Sequence, residues 1–598
     1  MLKIPYCISN FKRIRSDNFL YVDKTHFIEK LEAVDYILHL RPRRFGKSLF
    51  LDMLDNYYDI ASRDQFDELF GGLYIHKFPT EYRNSYYILR LDFSGIENDE
   101  KDGLKKGFLR RVKIDAERFI SRYKLNIHLD NLETPASVLD CLLKGFASLE
   151  LAHKIYILID EYDHFTNAVL SGDGEEFLTV LRRGGFVRSF YEIIKRNTGL
   201  GVVERFFITG VMSLTLDSMT SGFNIVTNIT TNENFADLMG FNGDEVREIL
   251  ALTYAKPGQN SKEKITVQLT TAEQAENFKI FEDNYNGYLF AEESETKVFN
   301  STLIMYYLKN YLPSKRPPKN LIDENLNQST TTIESIASLK NSEQNYQVIE
   351  EVITTGQTAG TLQPAINVDK KFDKNDFITM MFNIGLLTIK EAGFTLKFEI
   401  PNKIIENIYL QYLGDLLQRR YSYKIDLNEQ EKALAQFGEA GKLADLTALV
   451  SKFLQHTSGR NTIGFDEKYV KLIYKILLSS TTQFIVYDEF PTLQGFADLV
   501  VFKAENSYAK YEALIEIKYL KKGETTEAKV EKALADGVAQ IYRYLQDERL
   551  ANREDLKKFV VVFSGFEVAC LKEIGEKAWI FWWVVIRYEG VVNRGCLI

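Results

Sequence analysis

At 598 residues, 45% hydrophobic and 26% charged, the chain exceeds what one core holds and has the balance of a folded, multidomain protein. Its net charge of −9 excludes a uniformly basic nucleic-acid binder while leaving room for a local basic groove. Cys7, Cys141, Cys570 and Cys596 form no CxxC pair, which excludes a zinc ribbon and a disulfide scaffold and fits a reducing compartment.

The stretch after Met1 lacks an apolar signal core. The longest apolar run, 579–586, is far shorter than the roughly 20 residues that span a bilayer, and it reads as a buried or aberrant strand. A cytoplasmic protein with no membrane partner is expected. In chain order, 35–40, 86–93, 154–163 and 204–211 read as strands alternating with amphipathic helices, the pattern of a parallel α/β sheet. Their near-continuous apolar content suits strands covered on both faces. Past Leu250 the pattern is helical as far as 302–312, and the proline-containing 313–330 reads as a linker. A small mixed region follows, with a hairpin expected to pair 386–390 with 394–400 across Glu391-Ala392-Gly393. Helical segments then lead to a last α/β unit near Phe465. The expected partition is 1–240, 241–343, 344–455, 456–570 and a tail, 571–598.

The stretch "LRPRRFGKSLFLDML" at 40–54 lies between a strand and a helix, as a phosphate-binding loop requires. Arg41 occupies the position of the loop's first glycine. Backbone donors are expected from Phe45, Gly46, Lys47 and Ser48, with Lys47 reaching the β- and γ-phosphates of ATP and Ser48 ligating Mg²⁺. Arg41, Arg43 and Arg44 are expected to add positive charge. Alone, Gly-Lys-Ser fits an ordinary strand-to-helix turn equally well. A second element, the apolar strand ending in Asp160-Glu161, has the Walker B form: Asp160 would hold Mg²⁺ through water and Glu161 would polarise the attacking water. Thr209, ending another apolar strand, is either a γ-phosphate sensor or a threonine completing a strand. His164 reads as structural. The arginines of 181–190 read as a solvated cluster, with an arginine finger or nucleic-acid loop as the alternative.

"FKRIRSDNFLYVDKTHFIEKL", "LRPRRFGKSLFLDML", "IYILIDEYD", "ENFADLMGFNGDEV" and "YNGYLF…VFNSTLI" together resemble the bacterial AAA-ATPase-like family, whose members commonly end in a PD-(D/E)XK nuclease domain. That family writes its loop with arginine in the first position. "MMFNIGLLTIK" and "FEIPNK" match its middle segment, so the resemblance covers nearly the whole chain except about the last twenty residues.

In the final third, Asp498 opens an apolar strand and Glu516-Ile517-Lys518 lies in the next. Strand alternation puts Glu516 and Lys518 on one face, and pairing of the two strands lets Asp498 meet Glu516 there. Two carboxylates and a backbone carbonyl form an oxygen-rich Mg²⁺ site, beside which Lys518 can orient water and stabilise charge on phosphate. A solvent-facing Glu/Lys pair would read the same in isolation. The arrangement resembles the PD-(D/E)XK signature of Asp498, Glu516 and Lys518. That resemblance implies Glu467 as an extra acid on the preceding helix, Gly495 as the motif glycine, and Gln540 with Tyr544 as the Gln-x-x-x-Tyr element closing the site. "LKKGE" beside the strand is a plausible phosphate contact.

The implied architecture is α/β and multidomain: an N-terminal P-loop parallel sheet with a helical extension, a small α+β middle, and a C-terminal restriction-endonuclease-like α/β domain. The implied function is an ATP-binding ATPase controlling a Mg²⁺-dependent nuclease that acts on DNA, with RNA as the lesser option and an oligomer not excluded. The alternative is a nucleotide-dependent binding protein, toxin- or defence-related, whose nuclease fold is silent.

Overall fold

The computed structural model describes residues 2–96, 103–163, 185–212, 224–257, 264–322, 329–339, 341–364, 366, 372–421, 424–457, 466–504, 507–523 and 525–575. The chain separates into two compact units, 1–406 and 407–598. The cut falls inside the region expected as one piece at 344–455.

In the first unit the apolar runs form β1 (Tyr36–Leu40), β2 (Tyr86–Asp92), β3 (Lys154–Asp160) and β4 (Val203–Gly210), joined at one edge by the short β5 (Thr227–Asn228). Every pairing is parallel, in the order β2-β3-β4-β1-β5. Burial explains the composition: β3 is buried from Ile155 to Asp160, so alternation would leave polar groups in the core. The crossovers run through α1 (Lys47–Tyr58), α2 (Gly103–Tyr123), α3 (Pro135–Ala147) and α4 (Phe186–Gly199). Helix α3 starts where Thr134 and Ser137 form a reciprocal cap around Pro135. The order places β4 between β1 and β3, so the ends of these three strands carry their loops to the same edge of the sheet.

Past the sheet, Asn242 and Glu245 cap α5 (Gly243–Ala251). The expected run of helix is then interrupted by an antiparallel pair, β6 (Thr253–Pro257) and β7 (Lys264–Gln268). Thr253, Tyr254, Ile265, Thr266 and Val267 favour a strand, and Pro257 would end any helix. Asn300 caps α6 (Ser301–Ser314). A small antiparallel sheet, in the order β8-β10-β9, follows from β8 (Gln357–Gly360), β9 (Thr388–Glu391) and β10 (Leu396–Glu399). The expected hairpin is present, but its turn runs later, over 392–395. Leu396 and Phe398 are the buried alternate positions, whereas Phe394 is fully exposed at the tip.

The second unit contains helices Leu427–Ala440 and Ala444–Thr457, parted at Gly441, and then α7 (Glu467–Leu478). A sheet follows in sequential order from β11 (Phe484–Thr492), β12 (Gly495–Lys503), β13 (Glu512–Leu520), β14 (Leu556–Ser564) and β15 (Glu567–Glu573). Only β13 and β14 pair in parallel, and α8 (Glu527–Tyr544) is their crossover. Leu534, Ile541 and Tyr544 of α8 pack on Ala497, Val500, Leu514 and Val560. The boundary expected at 570 falls within β15, and the run at 579–586 lies outside the described residues. Among the described residues no helix is long and apolar enough to cross a membrane.

Candidate functional sites

The chain leaves β1 at Leu40 and turns through Arg41–Gly46 into α1. Gly46 takes φ +94 just ahead of the helix, a conformation that costs glycine nothing. Lys47 and Ser48 open α1, so their amides belong to the first-turn donors that no carbonyl of the helix satisfies.

Arg41 accounts for the missing first glycine, and not as a phosphate contact. It is 1% exposed and donates to the carbonyls of Leu40 (2.9 Å), Thr230 (2.8 Å), Phe235 (3.0 Å) and Ala236 (3.1 Å). Its guanidinium lies 4.2 Å from the ring centre of Phe290, and burial pushes its pKa down to about 9. Arg41 pins the end of β1 to the 230–236 segment, its guanidinium committed to carbonyls. Neighbouring residues brace the loop in the same way. The carbonyl of Arg44 accepts from Thr302 Oγ1 (2.8 Å) and Ser301 Oγ (3.3 Å) at the start of α6. The ring of Phe45 is buried edge-on against Tyr288 and Phe290, and its carbonyl accepts from Gly240 N (3.1 Å), so only its backbone is left to serve a ligand. The separated stretches "ENFADLMGFNGDEV" and "YNGYLF…VFNSTLI" thus meet around one loop.

Lys47 is buried, and its Nζ donates to the carbonyls of Arg41 and Pro42, each at 3.0 Å. Burial lowers its pKa, against the opposing charges of Asp160, Asp163 and Glu161. Ser48 hydrogen-bonds Asp160, whose pKa is raised by burial in spite of Ser48 and Arg90. Glu161 adopts φ +49 and its amide donates to Asp160 Oδ1 at 3.1 Å. Thr209 is fully buried and donates to the carbonyl of His39 at 2.9 Å, which ties β4 to β1 and accounts for the residue without a phosphate. The sequence reading missed two groups. Asp163 is buried and accepts from the amides of Val211 (3.0 Å) and Met212 (2.6 Å). Arg90 pairs with Asp52 at 2.7 Å and reaches Asp160 at 3.9 Å. A lone arginine in the apolar run of β2 was the available signal. His164 and residues 181–184 lie outside the described residues, and Arg188 pairs with Glu192 at 2.8 Å.

In the second unit, Leu499 pairs with Ile515, so the antiparallel register sets Asp498 opposite Glu516 one step further on. Asp498 Oδ2 accepts from Ile517 N at 2.8 Å. Glu516 is 1% exposed; its Oε1 accepts from Lys518 Nζ at 2.7 Å, while its buried Oε2 has no hydrogen-bond partner among the described residues. Burial, and then the charge of Asp498, push the Glu516 pKa up to about 7. Glu467, the first residue of α7, is raised by burial and by Asp498 as well. Burial works against the Lys518 ammonium, but the neighbouring Glu516 raises its pKa. Gln540 Nε2 donates to Tyr544 OH at 3.4 Å, and the Tyr544 phenol is pushed up to about 12 by burial, then by Glu516 and Asp498. Gly495 takes φ +120 at the start of β12. Asp498, Glu516, Lys518 and Glu467 are therefore one electrostatic cluster.

Residues 5–220 match the family described as "Predicted AAA-ATPase", and residues 465–573 match the PD-(D/E)XK nuclease superfamily. The chain carries an AAA-ATPase-like domain and a PD-(D/E)XK nuclease superfamily domain. It is also 28% identical over 253 residues to a protein of Azotobacter chroococcum mcd 1 described as "Uncharacterized protein in vnfD 5'region". That match spans 42% of this chain and 45% of the relative, less than half its length.

The nuclease domain holds a further cation that the sequence reading overlooked. Lys471, one turn after Glu467 on α7, is buried; its Nζ donates to Asp498 Oδ1 at 3.1 Å and to Glu489. The signal was a lysine on the apolar stripe of "DEKYVKLIYKILLSS". Among the described residues no three His, Cys, Asp or Glu side chains form a metal-ligand cluster. The donors at hand are the two opposed carboxylates, Asp498 and Glu516. They fit a hard divalent cation, because Glu516 Oε2, with no hydrogen-bond partner among the described residues, leaves an acceptor open opposite Asp498.

Proposed function

We propose that the chain binds and hydrolyses ATP at its P-loop and cleaves phosphodiester bonds, of DNA in preference to RNA, at a Mg²⁺-dependent PD-(D/E)XK site, in the cytoplasm. The observation that carries the reading is the bare, buried Glu516 Oε2 opposite Asp498. Left unpaired, such an oxygen costs a few kcal/mol, a penalty that a bound cation removes. Mg²⁺ would be held by Asp498 and Glu516, and when bound it supplies a Lewis acid for the phosphoryl oxygens. Lys518 keeps its proton because Glu516 accepts from it, so it serves as a donor that orients water and steadies charge on the phosphate. Glu467 adds negative charge from the helix side, and Gln540 with Tyr544 closes the cluster. In the AAA-ATPase-like domain, Lys47, now on the Arg41 and Pro42 carbonyls, would turn to the β- and γ-phosphates, Ser48 and Asp160 would hold the ion, and Glu161 would polarise water.

One observation favours the second reading, a nucleotide-dependent binding protein with a silent nuclease fold: Lys471 and Lys518 already neutralise Asp498 and Glu516. Plasmid cleavage separates the two. Cutting in Mg²⁺ that disappears in EDTA, in Asp498→Asn and in Glu516→Gln supports the nuclease, and a variant that cuts as well as the parent removes it. ATP turnover lost in Lys47→Ala supports the ATPase; nucleotide binding without turnover or cutting supports the second reading.

A further inference from the structure

Lys471 touches the carboxylate assigned to the metal, yet the phosphodiesterase reading gives it no task. Lysine is rarely buried without a reason, and the reason here is electrostatic. Glu467, Asp498 and Glu516 place three acids together, and among the described residues Lys518 is the other cation of the cluster. Without Lys471, Asp498 would be left with the Ile517 amide as its remaining bond.

A divalent ion and the Lys471 ammonium both seek Asp498, and at contact distance they repel each other. The structure supplies a second partner for the ammonium. Glu489 also accepts from Lys471 Nζ, and its side chain is 57% exposed, so it is not itself a buried charge awaiting neutralisation. The β11–β12 pairs Asp488 with Leu499 and Phe490 with Ala497 bracket Glu489 and Asp498, setting the two acids side by side. Glu489 holds φ +47, a left-handed conformation rare for glutamate, inside an otherwise extended strand. An unusual backbone therefore presents this carboxylate where Lys471 reaches both acids.

We propose that Lys471 is a resident counter-cation for Asp498 that a divalent ion displaces onto Glu489, so that the Lys471–Glu489 pair sets the metal affinity of the nuclease domain. Lys471 acts through Asp498 and is a positioning residue. The inference rests on the metal-site reading above, and its test keeps the two apart.

Mn²⁺ binding by the full chain, followed by calorimetry or electron paramagnetic resonance without nucleotide, is the readout, and the ions counted are those lost in Asp498→Asn. Lys471→Met should bind Mn²⁺ about tenfold tighter, and Glu489→Gln about tenfold weaker, because the ammonium then has nowhere else to go. General charge effects would give the same two signs, so the double variant decides. In the Lys471→Met background, Glu489→Gln should change little, since Glu489 acts only through Lys471. An equal effect of Glu489→Gln in both backgrounds, or unchanged binding in Lys471→Met, overturns the proposal while leaving the metal site standing. If Lys471→Met does not fold, Lys471→Arg should keep the parent affinity and Glu489→Gln should still lose it, and an unchanged Glu489→Gln overturns the proposal. A parent that binds no Mn²⁺ at Asp498 overturns the metal-site reading, and the Lys471 proposal with it.

Discussion

Strand β13 carries two buried glutamates four residues apart, and they differ in every respect that matters. Glu512 accepts from Arg553 Nη1 through both oxygens at 2.8 Å, and one of them also accepts from Lys503 N at 3.0 Å. Among the described residues Glu516 has one bond, to Lys518, and one oxygen without a partner. The loop between β1 and α1 lies nearer to Glu512: the guanidinium of Arg41 meets four carbonyls, although its Nε has no partner among the described residues, Lys47 meets two, and Ser48 meets Asp160. A well-filled polar network holds a fold together, whereas a buried carboxylate oxygen left open opposite a second acid is a place that can accept a cation.

The largest effect expected from breaking this contrast is at Arg41. Arg41→Ala, and equally Arg41→Gly, which restores the usual loop glycine, leaves buried carbonyls without donors and should cost about 3–5 kcal/mol. Thermal unfolding monitored in the full chain checks it, and a variant that melts with the parent would return Arg41 to the surface. Next is Lys47→Ala, for which equilibrium titration should show ATP affinity falling about a hundredfold, roughly 3 kcal/mol. Retained affinity would mean that the lysine never leaves its loop carbonyls.

The open glutamate makes a prediction about pH. Between the ordinary value of 4.5 and about 7, the folded protein keeps a proton on Glu516 that the unfolded chain has released. The unfolded state then binds fewer protons, so stability falls as pH rises through that window, by something of order 3 kcal/mol, and is level above it. Denaturant titrations of the parent and Glu516→Gln should diverge there, with the variant lacking this fall, and Mg²⁺ should flatten the parent's curve. Parallel curves would mean that Glu516 is no more strained than Glu512. The smallest effect is at Gly537, where α8 crosses the sheet. An added Cβ would lie 2.7 Å from Val560 Cγ1 and 3.5 Å from Glu516 Cγ. Gly537→Ala should therefore cost about 1–2 kcal/mol, read from the melting temperature.

The parts of this account that were legible in the sequence depend on local pattern. Apolar runs announced β1 to β4, Gly46-Lys47-Ser48 announced the loop, and strand alternation put Glu516 and Lys518 on one face. What escaped depends on partners far along the chain. Arg41 read only as added positive charge in the place of a glycine because Thr230 and Phe235, which accept from it, lie about 190 residues away. Lys471 looked like an ordinary helical lysine until Asp498 and Glu489 arrived from two different strands. Pairs β6 and β7 were hidden by brevity, since five residues are too few for a period to declare itself.

Anomalous diffraction from crystals of the full chain soaked in Mn²⁺ tests the central claim most directly. A peak at the Asp498 and Glu516 carboxylates, with Lys471 turned to Glu489, is the predicted result. Density without a peak there, with Lys471 and Lys518 still bonded to the two carboxylates, would contradict it.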